Sequence, residues 1–339
     1  MREGIFLTFS GDIFLQRQIL NSYYHTKSKT YVFSEDIFEN IKEEIKGDLS
    51  CVVLDTVIAG NIFTPSSYPL YNSPAEILDT LKKMGFNLII TANNHCLDKG
   101  ERGLFESIKN IKKRNLLYLG TNLSPDPHER VMIFEKNGIK VGILAYTYGT
   151  NGNYLPKHKE YMVNYINLEK ISEDINFLKN QKTNFIIIYL HWGEEYIEKP
   201  KEYQRIIAKK LINLGVDMII GSHPHCIGSI EKINDKYCFY SLGNFFADQY
   251  GLNISKTKFG LILRINLFKI KERLSYKIEV IPIFIHRWRE KGKYKYKIIK
   301  ASNIYKYKDI DKKDLLYYES LKKLLMNIKW EKEELLLKS

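Results

Sequence analysis

Short apolar runs alternate with polar clusters along the first 250 residues of the chain. Runs of this length are typical of buried strands, and each one leads at once into polar, loop-like residues. The clusters that follow the runs are "SGD" (10–12), Asp55, "TANNH" (91–95), "HWGEEY" (191–196), "GSHPH" (221–225) and "LGNF" (242–245). The segment "KVGILAY" (140–146) is a further candidate for a buried strand.

Helical patterns fill the segments between these runs, over residues 74–84, 101–114, 167–180 and 200–214. Gly85 and Gly215 follow two of them as candidate C-caps. Strands that alternate with helices predict an α/β fold with a largely parallel sheet. Ligands of such sheets bind beyond the carboxyl ends of the strands, where the polar clusters fall.

The C-terminal part follows a different pattern. Residues 259–270 and 274–286 are predicted to form paired strands, and residues 312–338 an amphipathic helix packed on the body. If residues 287–297 form one extended edge strand, its odd positions put six cations on one face, opposite Trp288, Tyr294 and Tyr296. We therefore expect a main domain over residues 1–285 and a basic extension over residues 286–339.

The charged residues are unevenly distributed along the chain. The net charge is +13, and residues 251–339 hold 23 basic and 10 acidic residues, so the whole excess is C-terminal. This excess suits either a solvated lysine-rich surface or a basic rim that attracts an anionic substrate. Basic residues interleaved with tyrosines also suit nucleic-acid contact, but without a recognised binding module we expect no nucleic-acid partner.

Cysteine spacing and hydropathy bear on the compartment. The four cysteines show no CxxC spacing, and the sequence shows neither a signal peptide nor an apolar run of the roughly 18 residues that a membrane helix needs. A protein without a transmembrane segment, in the reducing cytoplasm, is the prediction.

The strand-end clusters pool carboxylates, imidazoles and one or two amides, which are ligands for hard-to-borderline divalent metals. A single histidine near a strand end is more often a hydrogen-bonded structural residue, and "GD" alone is chiefly a turn signal. The combination of these residues is much less expected by chance than any one of them alone. Four of the eight histidines in the chain fall in three of these loops. The pooled residues are Asp12, Asp55, Asn94, His95, His191, His223 and His225.

The motifs "SGD", "ANNHCLDKG", "HWGEEY", "GSHPH" and "YSLGNF" resemble those of the CapA family of capsule and poly-γ-glutamate biosynthesis proteins, within the calcineurin-like metallophosphatase superfamily. The resemblance runs in order from about residue 5 to about residue 285. It implies a four-layer α/β/β/α sandwich with two divalent metal ions at the strand ends, for which Mn, Fe or Zn are the expected metals.

Residue by residue, the resemblance implies two sets of roles. His95 would be the catalytic histidine that faces the substrate, and Asp98 would orient it, although Asp98 also suits an N-cap for helix 101–114. The metal ligands would be Asp12, Asp55, Asn94, His191, His223 and His225.

Three further residues lie beside these motifs. Trp192 suits packing better than substrate stacking. Glu195 suits either a contact with the ligands or substrate, or the polar start of a helix. Asn244 suits either the pocket wall or a turn after Gly243.

The sequence departs from the family pattern at two places. The family usually carries Asn-Leu-Glu at the second strand end, where this chain has Val53-Leu54-Asp55. Asp55 keeps a carboxylate, one methylene shorter, as the candidate bridge between metals. Phe14 stands where related phosphatases carry a histidine, so a single-metal site is an alternative.

Two functions follow from the resemblance. One is a metal-dependent hydrolase that uses a hydroxide shared by two cations on a phosphoester, or on an amide of an anionic, polyglutamate-like polymer. The other is an accessory, non-hydrolytic component that binds polyanion in a polymer-synthesis assembly with a ligase partner.

Overall fold

A computed structural model of the protein describes residues 4–252, 254–270 and 273–327. The strands are β1 (Gly4–Ile13), β2 (Tyr24–His25), β3 (Thr30–Tyr31), β4 (Leu49–Leu54), β5 (Leu88–Ile90), β6 (Leu117–Leu119), β7 (Val131–Lys136), β8 (Ile139–Thr147), β9 (Phe185–His191), β10 (Met218–Ser222), β11 (Ile230–Ile233), β12 (Lys236–Phe239), β13 (Asn244–Phe246), β14 (Phe259–Ile270), β15 (Arg273–Glu290) and β16 (Lys293–Lys300). The helices are α1 (Arg17–Tyr23), α2 (Lys42–Ile45), α3 (Glu76–Met84), α4 (Gly100–Lys113), α5 (Leu168–Asn180), α6 (Glu202–Leu214) and α7 (Lys312–Asn327).

Two large sheets organise the described residues. The first has the strand order β16-β15-β14-β1-β4-β5-β6, with β13 pairing on β1, and the second has the order β11-β12-β10-β9-β8-β7. Strands β1, β4, β5 and β6 run parallel, as do β8, β9, β10 and β12. The carboxyl ends of each parallel set therefore lie at one edge of its sheet.

The sheets pack face to face, with helices outside. The central core joins side chains of both sheets, such as Phe9 and Leu49 from the first with Ile143 and Ile187 from the second. A second core lies between the first sheet and helices α1–α3, and a third between the second sheet and helices α5 and α6. These layers confirm the expected α/β/β/α sandwich.

The predicted helices are confirmed, with ends at the expected signals. Helices α3 and α6 end at Gly85 and Gly215, which take the left-handed conformation with φ of 110° and 108°. Asn167 caps α5, because its side chain accepts hydrogen bonds from the backbone of Glu169 and Lys170. Helix α7 begins at Lys312 as expected, and the rest of the predicted helix, from residue 328, lies outside the described residues.

The prediction of one edge strand over residues 287–297 is wrong. The segment is a hairpin in which Lys291 and Gly292, with φ of 47° and 79°, reverse the chain between β15 and β16. Arg287 pairs with Tyr296 across the hairpin, whereas Trp288 pairs with Lys295. Cross-strand partners share a face of the sheet, so the arginines lie with the tyrosines and the lysines on the opposite side.

The C-terminal elements are joined to the sandwich in two ways. Strand β15 runs unbroken through residue 285, where the sequence suggests a boundary, and β16 is the sheet edge. Helix α7 buries Leu321 and Leu325 against the central core, and its Asp314 forms a buried ion pair with Lys258. None of the helices in the described part of the chain is long and apolar enough to cross a membrane.

Candidate metal and catalytic site

Asp12 lies at the end of β1 where the backbone passes another strand very closely. A side chain at Gly11 would come within 1.8 Å of the Gly243 carbonyl oxygen, so only glycine fits there. The close approach lets β13 pair beside β1, with Asp12 opposite Asn244. The "SGD" and "LGNF" motifs are thereby brought side by side.

Asp12, Asp55 and His225 each offer an atom to a common point, with these atoms within 4.8 Å of one another. The Nδ1 atom of His225 lies 3.5 Å from Asp12 Oδ2, and its Nε2 atom lies 3.9 Å from Asp55 Oδ2. On the other side, Asp55 Oδ1 lies 3.7 Å from His191 Nε2. Asp55 therefore stands between two imidazoles that come from the second sheet.

Several polar atoms of this cluster are buried without a hydrogen-bond partner among the described residues. They include both carboxylate oxygens of Asp55, one oxygen of Asp12 and Nδ1 of His223. Burying such groups unpaired costs free energy, most of all when they are charged. A cation held between them would satisfy these atoms, so the residues present fit a metal site.

The pKa values of the clustered groups also fit a metal site. Burial raises the pKa of Asp55 to about 7, with the nearby Asp12 adding to this effect and His95 opposing it. Burial also lowers the pKa of His223 to about 3 and holds the pKa of His191 well below its ordinary range. Both imidazoles are therefore neutral, the form in which histidine binds a metal.

Asn94 lies directly against His191. Its Oδ1 atom is 2.7 Å from His191 Nε2, so the two candidate ligand atoms converge. Asn93 instead holds the turn: its Oδ1 accepts from the backbone of His95, and its Nδ2 donates to the Leu54 carbonyl. The two neighbouring asparagines thus have separate tasks.

His95 is oriented by Asp98. His95 Nδ1 lies 2.6 Å from Asp98 Oδ2, which also accepts a hydrogen bond from the backbone of Tyr71. Burial opposes a charge on this imidazole, but the hydrogen bond with Asp98 and the negative charges of Asp55 and Asp98 together outweigh burial and raise the pKa of His95. The residue before α4 is Lys99, and Asp98 makes no cap contact with that helix.

The "HPH" segment holds both histidines in the left-handed conformation, with φ of 95° at His223 and 55° at His225. Such backbone strain persists only where the surroundings enforce it, and it is common at functional sites. Here the backbone of His223 donates to Asp12 Oδ2, and His225 Nδ1 lies 3.1 Å from Asn244 Oδ1. Asn244 therefore contacts a candidate ligand and is not only a turn residue.

The remaining candidates divide between packing and the pocket. Trp192 is fully buried, stacks on Tyr240 and donates to its carbonyl oxygen, which is a packing role. Glu195 lines a cavity of about 360 Å³ together with His95 and His225. This cavity is the open approach to the cluster.

Sequence reasoning missed Tyr148 and Asn151. Asn151 Oδ1 accepts from Asn94 Nδ2 at 3.1 Å, and its own Nδ2 lies 3.5 Å from both ring nitrogens of His95. The Tyr148 ring packs on the His223 ring at 4.7 Å. Their segment follows the run "KVGILAY" as the other clusters follow theirs, which is the signal that could have revealed them.

Two facing sheets, outer helices and a carboxylate–imidazole cluster at the strand ends define a calcineurin-like metallophosphatase fold. Among solved structures, the chain is similar to a putative 5'-nucleotidase from Staphylococcus aureus in complex with alpha-ketoglutarate, with a TM-score of 0.50 and 13% identity. The match covers 94% of this chain and 58% of that chain.

The family follows from the sequence comparison. The family "Bacterial capsule synthesis protein PGA_cap" matches residues 6–249, and the chain belongs to it. It is 27% identical over 299 residues to PGA biosynthesis protein CapA of Bacillus subtilis (strain 168), covering 82% of this chain and 71% of that protein. It is 28% identical over 213 residues to Capsule biosynthesis protein CapA of Bacillus anthracis, covering 62% of this chain and 50% of that protein. The CapA resemblance of the motifs is thus confirmed.

Proposed function

We propose that the protein is a metal-dependent hydrolase that cleaves a phosphoester, or an amide of an anionic, polyglutamate-like substrate. The observation that carries this proposal is Asp55, whose two buried oxygens have no hydrogen-bond partner among the residues that the structure describes and lie between His191 and His225. A carboxylate in that position is suited to bridge two divalent cations, with Mn, Fe or Zn the best match to its neighbours.

The surrounding residues suggest how two cations would be shared. Asp12, Asp55 and His225 would hold one, because their atoms already converge. The second cation would also be held by Asp55. Its other ligands would be Asn94, His191 and His223, which lie on the side of Asp55 away from His225. When bound, such cations supply Lewis acidity and make water acidic enough to serve as a nucleophile near neutral pH.

The protein's own side chains would position the substrate and move a proton. The substrate would enter the cavity lined by Glu195, Tyr196 and His95. The His95 imidazole, oriented through Nδ1 by Asp98, presents its other nitrogen to donate a proton to the leaving group. Asn151 would hold both His95 and Asn94 in place.

Metal content and turnover test the proposal. We expect two transition-metal equivalents per chain, and hydrolysis of either bis(p-nitrophenyl) phosphate or a γ-glutamyl peptide. His95→Ala should lose that turnover, whereas His158→Ala, which changes an exposed histidine outside the site, should keep it. Wild-type protein that binds no metal, or equal turnover in wild type and His95→Ala, would refute this mechanism.

An accessory role is the second candidate. Val53 stands where the family usually has an asparagine and is fully buried in the central core. This departure favours a polyanion-binding component, without turnover, in a polymer-synthesis assembly with a ligase partner. The matched relatives are named for capsule and PGA biosynthesis, and this role agrees with those names. Metal-loaded protein that binds glutamate polymer but hydrolyses neither substrate would support it.

A further inference from the structure

A second cavity adjoins the candidate active site. It has a volume of about 630 Å³ and is lined in part by Arg17, Tyr31 and Lys99. The segment Tyr68, Pro69 and Leu70 lines both this cavity and the one that contains His95. The two cavities are therefore neighbours that share one wall.

Two cations of this second cavity, Arg17 and Lys99, are without an ion-pair partner in the described part of the chain. Neither Arg17 nor Lys99 forms an ion pair or a side-chain hydrogen bond with any residue the structure describes, and no acidic residue lines the cavity. Both lie on segments that leave the active site. Arg17 follows β1 and its Asp12, and Lys99 follows Asp98 directly.

The shared wall is held in place by hydrogen bonds. Asn72, which is fully buried, donates to the carbonyls of Phe63 and Thr64 and exchanges backbone hydrogen bonds with Ser66. The Ser66 hydroxyl donates in turn to the Leu70 carbonyl. The cavity is thus preformed, and the Tyr68 ring on its wall is exposed to a ligand.

We infer that this cavity is a distal subsite for an anionic chain whose reacting bond lies at the Asp55 cluster. Such a chain would cross the wall at Tyr68 and place further negative groups against Arg17 and Lys99. The inference rests on the proposed function for the position of the reacting bond, but the subsite itself is a binding site. It predicts that the protein distinguishes long anionic chains from short ones.

The test measures binding, not turnover. Fluorescein-labelled glutamate oligomers of three and of twelve residues are titrated with the metal-loaded protein, and the dissociation constants are read from anisotropy. The wild type should bind the longer oligomer about tenfold more tightly, as two exposed ionic contacts would give. The variant Arg17→Ala/Lys99→Ala should lose that preference and part of its sensitivity to salt.

Two control variants test whether the charges of Arg17 and Lys99 cause the length preference. Lys209→Ala/Lys210→Ala removes the same charge from exposed positions of α6 and should keep the length preference. The variant Arg17→Lys/Lys99→Arg keeps both charges and should also keep the length preference. Its result distinguishes loss of charge from misfolding caused by substitution at these two positions. An Arg17→Ala/Lys99→Ala variant with an intact preference, or an equal loss in the α6 variant, would overturn the inference.

The outcome also separates the subsite from the proposed reaction. A length preference that depends on Arg17 and Lys99 in a protein without hydrolytic activity supports the subsite and refutes the hydrolase. Hydrolysis of a short substrate without any length preference supports the hydrolase and refutes the subsite. A linear polyphosphate of matched charge distinguishes a carboxylate chain from a phosphate chain as the preferred occupant.

Discussion

His95 Nδ1 lies 2.6 Å from Asp98 Oδ2, three residues further along the same loop. The same carboxylate oxygen accepts the backbone N–H of Tyr71, whose ring meets the His95 ring edge-on at 4.7 Å. Asp98 thus holds Nδ1 of His95, and in the proposed mechanism Nε2 is the nitrogen that donates a proton. We expect His95 and Asp98 to act as one unit.

The first prediction concerns this unit. His95→Ala should lower kcat about 100- to 10,000-fold, because it removes the proton donor. Asp98→Asn should lower it about 10- to 100-fold, because the imidazole loses its orienting charge. The double variant should be no worse than His95→Ala alone, since Asp98 acts through His95. Asp235→Asn, at an exposed aspartate, is the control, and additive losses would contradict the scheme.

The second prediction concerns Asp55. At pH 8, above the Asp55 pKa of about 7, the metal-free protein carries a buried carboxylate that has no hydrogen-bond partner in the described part of the chain. Asp55→Asn should therefore stabilise the metal-free protein by about 1–3 kcal/mol and abolish the rise in Tm on adding Mn²⁺. Asp314→Asn is the matched control: Asp314 is also buried but pairs with Lys258, so its loss should destabilise. A lower Tm for metal-free Asp55→Asn would contradict this account.

The third prediction concerns Asn151, which contacts Asn94 and His95 from a different loop. Asn151→Ala should lower kcat about tenfold. This loss is at the lower end of the range expected when a residue that orients metal ligands is removed. Metal content should stay unchanged, because Asn151 is not a proposed ligand. Asn213→Ala, an exposed asparagine on α6, should leave both unchanged. Wild-type kcat in Asn151→Ala would remove this residue from the mechanism.

The fourth prediction concerns the anchoring of the C-terminal hairpin. Arg287 donates to both oxygens of the buried Asp248 at 3.0 and 3.2 Å, and its guanidinium lies over the rings of Tyr250 and Tyr294. Arg287→Ala leaves Asp248 without its cation, so unfolding should become easier by about 3 kcal/mol.

Urea denaturation measures this loss. Arg289, two residues along the same strand, is exposed, and Arg289→Ala should change the free energy of unfolding by less than about 0.5 kcal/mol. Equal effects of the two substitutions would show that Arg287 stabilises the hairpin only as a surface charge.

The strands and their polar ends could be predicted because burial on both faces of a sheet dictates short, continuous apolar runs, and parallel strands bring their carboxyl ends to one edge. Asp12, Asp55 and His191 follow from that rule alone. The contact between Asn151 and Asn94 could not be predicted, because it depends on how two loops from different sheets meet.

The basic hairpin escaped prediction for a local reason. Lysine rarely takes a positive φ, yet Lys291 does so in the turn with Gly292. The alternation of basic and other residues continues through this turn without a break. The alternation of basic residues therefore indicated one strand over residues 287–297, where the backbone forms the ends of two strands, β15 and β16.

The division of the candidate metal ligands between the two sheets has a consequence for the protein's synthesis. His225 follows Asp12 by 213 residues, which is roughly 10–40 s of translation at the usual speed of ribosomes. Until His225 is made, the nascent chain lacks the histidine that completes the cluster with Asp12 and Asp55. We therefore expect metal loading to be a late event, which waits until the second sheet has left the ribosome and docked.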